Sequence, residues 1–194
     1  IVDENGEILE TYQIFLLLLY YFLEHQDERL PVVKSISVSN AISNLAAHYK
    51  VPLVETPVGF KYLSKYLMNA EAMIAGEESG GFGFIDFKDR DGIVSSIYII
   101  HLIIESGLSI SQILESINKI TGSTYIGRKD LEFNSKNRSD LINLLKNLKA
   151  NDIYDFGLSY VDEQDGIKFS YNDGSWILIR ISGTENLIRI YAES

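Results

Sequence analysis

The stretch of sequence that decides the fold of the chain's last part is W-I-L-I-R-I-S-G-T-E-N-L-I-R-I-Y, residues 176–191. Two runs of β-branched and aromatic residues flank a short polar loop, residues 182–186, and this pattern predicts strand, loop and strand. Arg180 closes the first strand, and Arg189 lies inside the second. Hydroxyls, successive amides and a glycine between two guanidinium groups are typical of a site that binds phosphate.

A polar hairpin turn with two exposed arginines explains the same residues, because S-G-T turns are common. The register of the hairpin separates the two interpretations, since side chains alternate between the faces of a strand. A four-residue loop puts Arg180 opposite Arg189 on one face, whereas a five-residue loop puts them on opposite faces. One shared phosphate favours the first register, or a bulge that restores it. The sequence is compatible with both.

The composition excludes several classes of function. The chain has 194 residues, enough for one large or two small domains. Its 17 basic and 27 acidic residues give a net charge of −10, so we expect no nucleic-acid partner. Without cysteine it forms no disulfide and no thiolate metal site, and we expect a reducing, cytoplasmic location. The longest apolar run, residues 14–23, is too short to span a bilayer, so we expect no membrane partner.

The first part of the chain alternates between patterns typical of helices and of strands. Helices are predicted over residues 8–25, 40–49, 59–69 and 111–120, and strands over 32–38, 51–58 and 72–75. One more helix is predicted after Asp91, a helix-capping residue, with apolar residues at 4-3-4 spacing, namely Ile93, Ile97, Ile100 and Ile104. Alternating strands and helices predict a three-layer α/β/α domain with a mostly parallel sheet.

The pattern changes near residues 122–125. Residues 125–133 resemble a strand, and residues 139–149 a helix with Leu141, Leu145 and Leu148 directed inward. From Leu158 onward only strands and turns are predicted, with D-G turns at residues 165–166 and 173–174. We therefore predict a domain over residues 1–122 and a smaller α+β domain with an antiparallel sheet over residues 123–194.

A second polar loop, G-E-E-S-G-G at residues 76–81, follows a short predicted strand. Ligands of open α/β sheets collect at the carboxyl ends of the strands. Two carboxylates and a hydroxyl suit a ligand with several hydroxyl groups, because carboxylates accept hydrogen bonds from them. A polar turn without any ligand explains this loop equally well.

Three segments together resemble the α-D-phosphohexomutases, the phosphoglucomutase and phosphomannomutase family. They are T-P-V-G-F-K at residues 56–61, G-E-E-S-G-G at 76–81 followed by R-D-G at 90–92, and R-I-S-G-T-E with I-R-I-Y within 180–191. The segments occur in the family's order. The resemblance covers essentially the whole chain, as the third and fourth domains of the family.

The resemblance implies two groups of substrate-binding residues. In the sugar-binding α/β/α domain it assigns Glu77 and Ser79 to the sugar hydroxyls, and places Arg90 and, more weakly, Lys61 at the active site. In the phosphate-binding α+β domain it assigns the non-reacting phosphate to Arg180, Ser182, Gly183, Thr184 and Arg189. It implies no catalytic residue and no metal ligand within these 194 residues.

The resemblance also implies a reaction. Members of the family have four domains and interconvert hexose 1-phosphate and hexose 6-phosphate through a phosphoserine and a hexose 1,6-bisphosphate, with Mg²⁺ bound in the second domain. The serine loop T-x-S-H-N and the metal loop D-x-D-x-D-R of the family do not occur in this sequence. We therefore expect the substrate-binding half of a mutase, a fragment that is inactive alone and whose partners are a phosphosugar and the missing N-terminal domains of the same chain.

Other interpretations remain open at this stage. A stand-alone phosphosugar-binding or regulatory module would need neither missing loop, and in a two-domain scaffold the polar loops would only be turns. Glucose and mannose are both compatible substrates, and G-E-E-S-G-G favours glucose. Two residues depart from the family pattern: Asn186 replaces a proline, which loosens the loop, and Gly81 replaces a histidine of some members. The three histidines of the chain are predicted to form no site.

Overall fold

A computed structural model describes residues 1–26, 28–148, 153 and 157–194 of the chain. These residues form two compact units, Ile1–Ser123 and Thr124–Ser194. Each unit has one β-sheet, with four strands in the first unit and five in the second.

The elements follow the predicted order with changes at their ends, except that strand β4 and a 3₁₀ turn were not predicted. The first unit contains α1 (Thr11–Glu24), β1 (Val32–Ser35), α2 (Asn40–His48), β2 (Leu53–Thr56), α3 (Phe60–Met68), β3 (Ile74–Gly76), β4 (Phe82–Phe84), α4 (Gly92–Ser106) and α5 (Ile110–Thr121). The second unit contains β5 (Ile126–Glu132), a 3₁₀ turn (Ser135–Asn137), α6 (Arg138–Lys146), β6 (Leu158–Asp162), β7 (Ile167–Tyr171), β8 (Trp176–Ile181) and β9 (Leu187–Glu193). The predicted end of the helix over 139–149, Lys149, lies outside the described residues.

The first sheet has the strand order β2-β1-β3-β4 and is mostly parallel, as the sequence predicts. Strand β1 is parallel to β2 and β3, and β4 pairs with β3 in the antiparallel direction. The carboxyl ends of the three parallel strands, at Ser35, Thr56 and Gly76, therefore lie at one edge of the sheet. Ligand-binding loops of α/β domains follow this edge.

Helices cover both faces of the first sheet. Residues of β1 alternate between the two cores: Val32 packs with α1, and Val33 packs with Leu63 and Leu67 of α3. Helix α1 is apolar on nearly every side because it lies between the sheet and α2, α4 and α5. The ring of Phe15 in α1 lies so near β3 that a Cβ at Gly76 would be 2.6 Å from it.

Asp91 begins α4 as predicted, because its Oδ1 accepts hydrogen bonds from the amides of Ile93 (2.8 Å) and Val94 (3.0 Å). The helix packs on α1 through Ile99 and Leu102. The isoleucines at 4-3-4 spacing form its other side, and they are 47–76% exposed: Ile93, Ile97, Ile100 and Ile104. No single helix among the described residues is long and apolar enough to cross a membrane, although α4 and α5, bent by 87°, pass that test as a pair.

The second unit is an antiparallel sheet with strand order β5-β9-β8-β7-β6, and α6 packs on one face. On that face Leu145 of α6 contacts the core of Ile167 and Phe169. On the other face Trp176 is completely buried, with the ammonium of Lys168 4.6 Å from its ring centroid. The indole N–H of Trp176 donates to a carboxylate oxygen of Glu193 on β9. The contact between Trp176 and Glu193 links β8 to β9, the two strands that contain Arg180 and Arg189.

Candidate functional site

The register of the β8–β9 hairpin is the one that puts both arginines on the same face. Arg180 pairs directly with Arg189, and the amide of Ser182 donates to the carbonyl of Leu187 at 2.8 Å. The loop therefore has four residues, 183–186. Directly opposed residues of an antiparallel pair project from one face of the sheet, so the two guanidinium groups can reach one ligand.

Carboxylates flank the two arginines. The Nη2 of Arg180 is 3.2 Å from Oδ2 of Asp165, which lies in the turn between β6 and β7. The Nη2 of Arg189 pairs with Glu185 of the loop, and its Nε is 3.6 Å from Oδ2 of Asp130 on β5. The Nε of both arginines is buried and has no hydrogen-bond partner among the described residues.

Two like charges opposite each other on neighbouring strands are destabilising unless other groups compensate them. The side chain of Arg180 is only 8% exposed and that of Arg189 19%, so water screens them incompletely. Asp130 is held by two hydrogen bonds from Arg128, and these bonds, with the charges of Arg128 and Arg189, lower the pKa of Asp130. The row Asp130–Arg189–Arg180–Asp165 thus brings two guanidinium groups together, with carboxylates that compensate part of their charge.

The loop between the arginines folds around the hydroxyl of Ser182. Ser182 is buried, and its Oγ accepts hydrogen bonds from the amides of Thr184 (3.4 Å) and Glu185 (3.2 Å). Gly183 and Thr184 are exposed, and a Cβ at Gly183 would meet no atom within 4 Å. Gly183 and Thr184 are therefore open to solvent, whereas the hydroxyl of Ser182 is directed inward.

Arg138, at the start of α6, contacts the same loop, and sequence reasoning missed it. Its Nη2 donates to the carbonyl oxygen of Ser182 at 2.8 Å. The bond links α6 to the residue that precedes the loop, 44 positions further along the chain. The sequence around Arg138 could not predict this contact, because Arg138 lies in a polar segment with no motif.

The second polar loop connects β3 and β4 at the carboxyl edge of the first sheet. The amide of Glu77 donates to the carbonyl of Gly81 at 3.1 Å, so the loop is a closed hairpin turn. Glu77 is buried and Ser79 is exposed. Glu78, between them, accepts a hydrogen bond at 3.2 Å from the buried hydroxyl of Ser37, which follows β1. Sequence reasoning missed Ser37, although it follows a strand at the same edge.

Gly81 explains how Arg90 reaches this loop. A Cβ at residue 81 would lie 2.5 Å from Cδ of Arg90 and 3.3 Å from a carboxylate oxygen of Glu77. The glycine therefore leaves the space in which Arg90 and Glu77 come together, a space that a histidine would fill. The guanidinium of Arg90 is 5.3 Å from the ring centroid of Phe60, which orients it. Lys61 is exposed, and its ammonium is 4.8 Å from the ring centroid of Tyr62.

The described residues contain no group of three or more His, Cys, Asp or Glu side chains that could hold a metal ion. His25 pairs with Glu105 at 3.1 Å and stacks on Tyr21, which gives it a packing role. The residues that the structure describes therefore do not fit Mg²⁺. The second unit has a pair of guanidinium groups beside a polar loop, and the first has carboxylates with an exposed hydroxyl.

Comparison with known proteins identifies these two units. Residues 10–120 match the model of phosphoglucomutase/phosphomannomutase α/β/α domain III, and residues 135–194 match the model of the C-terminal domain of the same proteins. An α/β/α sheet domain followed by an antiparallel domain with an arginine-flanked loop is thus the C-terminal domain pair of a phosphohexomutase. The chain belongs to the phosphoglucomutase/phosphomannomutase family.

Individual relatives agree with this assignment. The chain is 29% identical over its full length to the phosphoglucomutase/phosphomannomutase of Thermococcus kodakarensis and 28% identical to the phosphoglucosamine mutase of Campylobacter curvus, covering 40% and 39% of those proteins. Its fold matches a Thermus thermophilus protein described as a phosphomannomutase, with TM-score 0.77, 26% identity and coverage of 100% of this chain and 38% of the other. The chain therefore spans about two fifths of the length of these two relatives.

A more distant structure shares the fold alone. The N-acetylphosphoglucosamine mutase of Aspergillus fumigatus, in complex with glucose 1,6-bisphosphate, has a TM-score of 0.55 at 12% identity, covering 100% of this chain and 42% of the other.

Proposed function

We propose that this chain is the substrate-binding half of a phosphohexomutase, which interconverts a hexose 1-phosphate and a hexose 6-phosphate. The observation that carries the proposal is the direct pairing of Arg180 with Arg189, which puts two guanidinium groups with several N–H donors on one face of the sheet beside a four-residue loop. Donors of this kind suit the oxygens of a phosphate group, which accepts several charge-assisted hydrogen bonds at once.

The two units are assigned to different parts of the ligand, the phosphate and the sugar, because their side chains differ. Guanidinium groups and an exposed loop bind a phosphate without contacting the sugar ring, so they accept either end of a hexose bisphosphate. Glu77 and Ser79 on the first unit are assigned to the sugar hydroxyls, because a carboxylate accepts from them and a serine can accept or donate.

The bond-breaking groups are assigned to other domains of the mutase. Phosphoryl transfer depends mainly on positioning and charge stabilisation, and this chain supplies binding and orientation. The family's phosphoserine and Mg²⁺ supply the transfer itself, and neither of the loops that carry them occurs in this sequence. We therefore propose that the chain binds phosphosugar weakly and does not convert it alone.

Binding is tested by isothermal titration of glucose 6-phosphate and glucose 1-phosphate into the chain and into Arg180→Ala. Hydrogen bonds to charged groups contribute about 1.5–3 kcal/mol, so the variant is expected to bind at least about tenfold more weakly. Lys129→Ala is the matched control, because it removes one positive charge from an exposed neighbouring strand of the same unit. Equal, negligible binding by the chain and both variants would refute the phosphate site.

Conversion is tested with a hybrid in which the N-terminal domains of the T. kodakarensis relative precede this chain. The hybrid is expected to interconvert the two hexose phosphates, and the chain alone is not. A hybrid that binds phosphosugar without converting it would instead favour a binding or regulatory module. Conversion by the chain alone would contradict the assignment of the chemistry to other domains.

A further inference from the structure

Each of the paired arginines has one carboxylate of its own. Glu185 of the loop pairs with Nη2 of Arg189, and Asp165 lies 3.2 Å from Nη2 of Arg180. A third carboxylate, Asp130, is also near Arg189, but it already accepts hydrogen bonds of 2.9 and 2.7 Å from Arg128. The charge of Asp130 is thus balanced by Arg128, whereas Glu185 and Asp165 balance the pair.

The paired arginines are therefore neutralised before any ligand arrives. A phosphate monoester carries a charge of about −1.5 to −2 near pH 7. Added to a neutral cluster, it would lie beside carboxylates that occupy the guanidinium donors it needs. Two anions cannot use the same N–H groups, and like charges at such short distances repel each other. A phosphate that binds the Nη2 groups must therefore compete for them with one of the two carboxylates.

The structure indicates which carboxylate leaves. Asp165 precedes Gly166, whose α-carbon lies so close to β8 that a Cβ there would be 2.4 Å from the carbonyl oxygen of Ile179. This close approach fixes Asp165 beside Arg180. Glu185 lies in the exposed loop, with a side chain that is 53% exposed, and the loop contains no proline. The side chain of Glu185 can therefore turn towards solvent, whereas moving Asp165 disturbs a turn that packs on a strand.

We propose that Glu185 is a built-in counter-ion of the phosphate site, which holds the guanidinium of Arg189 until the phosphate group of the ligand displaces it. The proposal rests on the proposed function, because it requires a phosphosugar that binds between Arg180 and Arg189. Glu185 competes with the ligand for the N–H donors of Arg189 and so raises the concentration of an anion that is needed for binding. A strongly charged phosphate group displaces it, and a neutral sugar does not.

The test is the affinity of Glu185→Gln for glucose 6-phosphate, measured by isothermal titration at pH 7 and low ionic strength. Glutamine keeps the size of the side chain and removes the competing charge. The variant is expected to bind about threefold to fivefold more tightly than the unmodified chain, a change typical of one exposed ion pair. Glu163→Gln, an exposed residue of the β6–β7 turn, removes the same charge from the same unit and is expected to leave the affinity unchanged.

Three outcomes overturn the proposal in distinguishable ways. If the unmodified chain binds glucose 6-phosphate and Glu185→Gln binds it equally or more weakly, Glu185 does not compete with the ligand. The phosphate site itself is then not contradicted. If Glu163→Gln tightens binding as much as Glu185→Gln, the effect comes from net charge and not from competition at Arg189. If none of the proteins binds glucose 6-phosphate, the proposed function is wrong and the counter-ion role fails with it.

Discussion

Gly166 allows the sharpest test of the second unit's geometry. Its φ is +92°, a backbone conformation that disfavours any side chain, and a Cβ there would lie 2.4 Å from the carbonyl oxygen of Ile179 and 2.6 Å from Cβ of Arg180. Gly174, in the next turn, has nearly the same φ of +89° but no atom within 4 Å of its Cβ position. The two glycines differ in their surroundings and share their conformation.

The expected magnitudes follow from this difference. A non-glycine residue at positive φ costs about 1 kcal/mol, and both alanine variants carry this cost. Gly166→Ala adds a clash with the backbone of β8, and forced overpacking costs about 1–3 kcal/mol. We therefore expect Gly174→Ala to lower the free energy of unfolding of the second unit by about 1 kcal/mol, and Gly166→Ala by about 3 kcal/mol.

Trp176 provides the assay, because it is the single tryptophan of the chain and is buried in the second unit. Urea unfolding followed by its fluorescence reports on that unit. With a slope of about 1 kcal/mol per molar urea, the midpoint of Gly166→Ala should lie roughly 2 M below that of Gly174→Ala. Equal midpoints for the two variants would refute the close approach that places Asp165 beside Arg180.

Three further predictions concern stability. Lys34 is fully buried; its ammonium donates to the carbonyls of Val38 and Ser39 and lies 2.9 Å from a carboxylate oxygen of Glu55. Lys34→Met is therefore expected to lower the free energy of unfolding by about 2–4 kcal/mol, measured by urea unfolding followed by circular dichroism. A loss under about 1 kcal/mol would contradict this. Asp91→Ala removes the cap of α4 and should cost about 1 kcal/mol in thermal unfolding, and an unchanged midpoint would argue against the cap. Hydrogen bonds from Arg128, with the charges of Arg128 and Arg189, lower the pKa of Asp130 below 3.8, so its stabilising contribution is complete above that pH and is lost as the pH falls through the lowered value. Urea midpoints of the second unit measured between about pH 5 and pH 3 should fall less in Asp130→Asn, and parallel curves would contradict the prediction.

Patterns local in sequence predicted much of the fold. The cap at Asp91, the D-G turns and the all-round apolar helix α1 each depend on residues that are near one another in the chain. Strand β4 was missed because F-G-F is too short to show an alternating pattern. Both sides of α4 are apolar, so the spacing of Ile93, Ile97, Ile100 and Ile104 could not show which side packs on α1.

The sequence predicted the motifs of the site but not the arrangement of its side chains. The S-G-T loop and its arginines are visible in the sequence, but the register depends on one residue of loop length, and a slip of one residue reverses every side chain. The carboxylates of Asp165 and Asp130 come from other strands and turns, and Arg138 reaches the loop from a helix. Contacts between residues so far apart in the chain leave no local pattern.

The most direct test of the phosphate site is to observe the arginine side chains while a ligand binds. The Nε–H groups of Arg180 and Arg189 are buried and have no hydrogen-bond partner among the described residues, so a phosphate that binds between them should shift their ¹⁵N–¹H signals. In a titration with glucose 6-phosphate, these two signals and the amides of Gly183 and Thr184 are expected to move together and to saturate with one affinity. Saturable shifts elsewhere in the chain, with these four signals unmoved, would contradict the assignment of the phosphate to this loop.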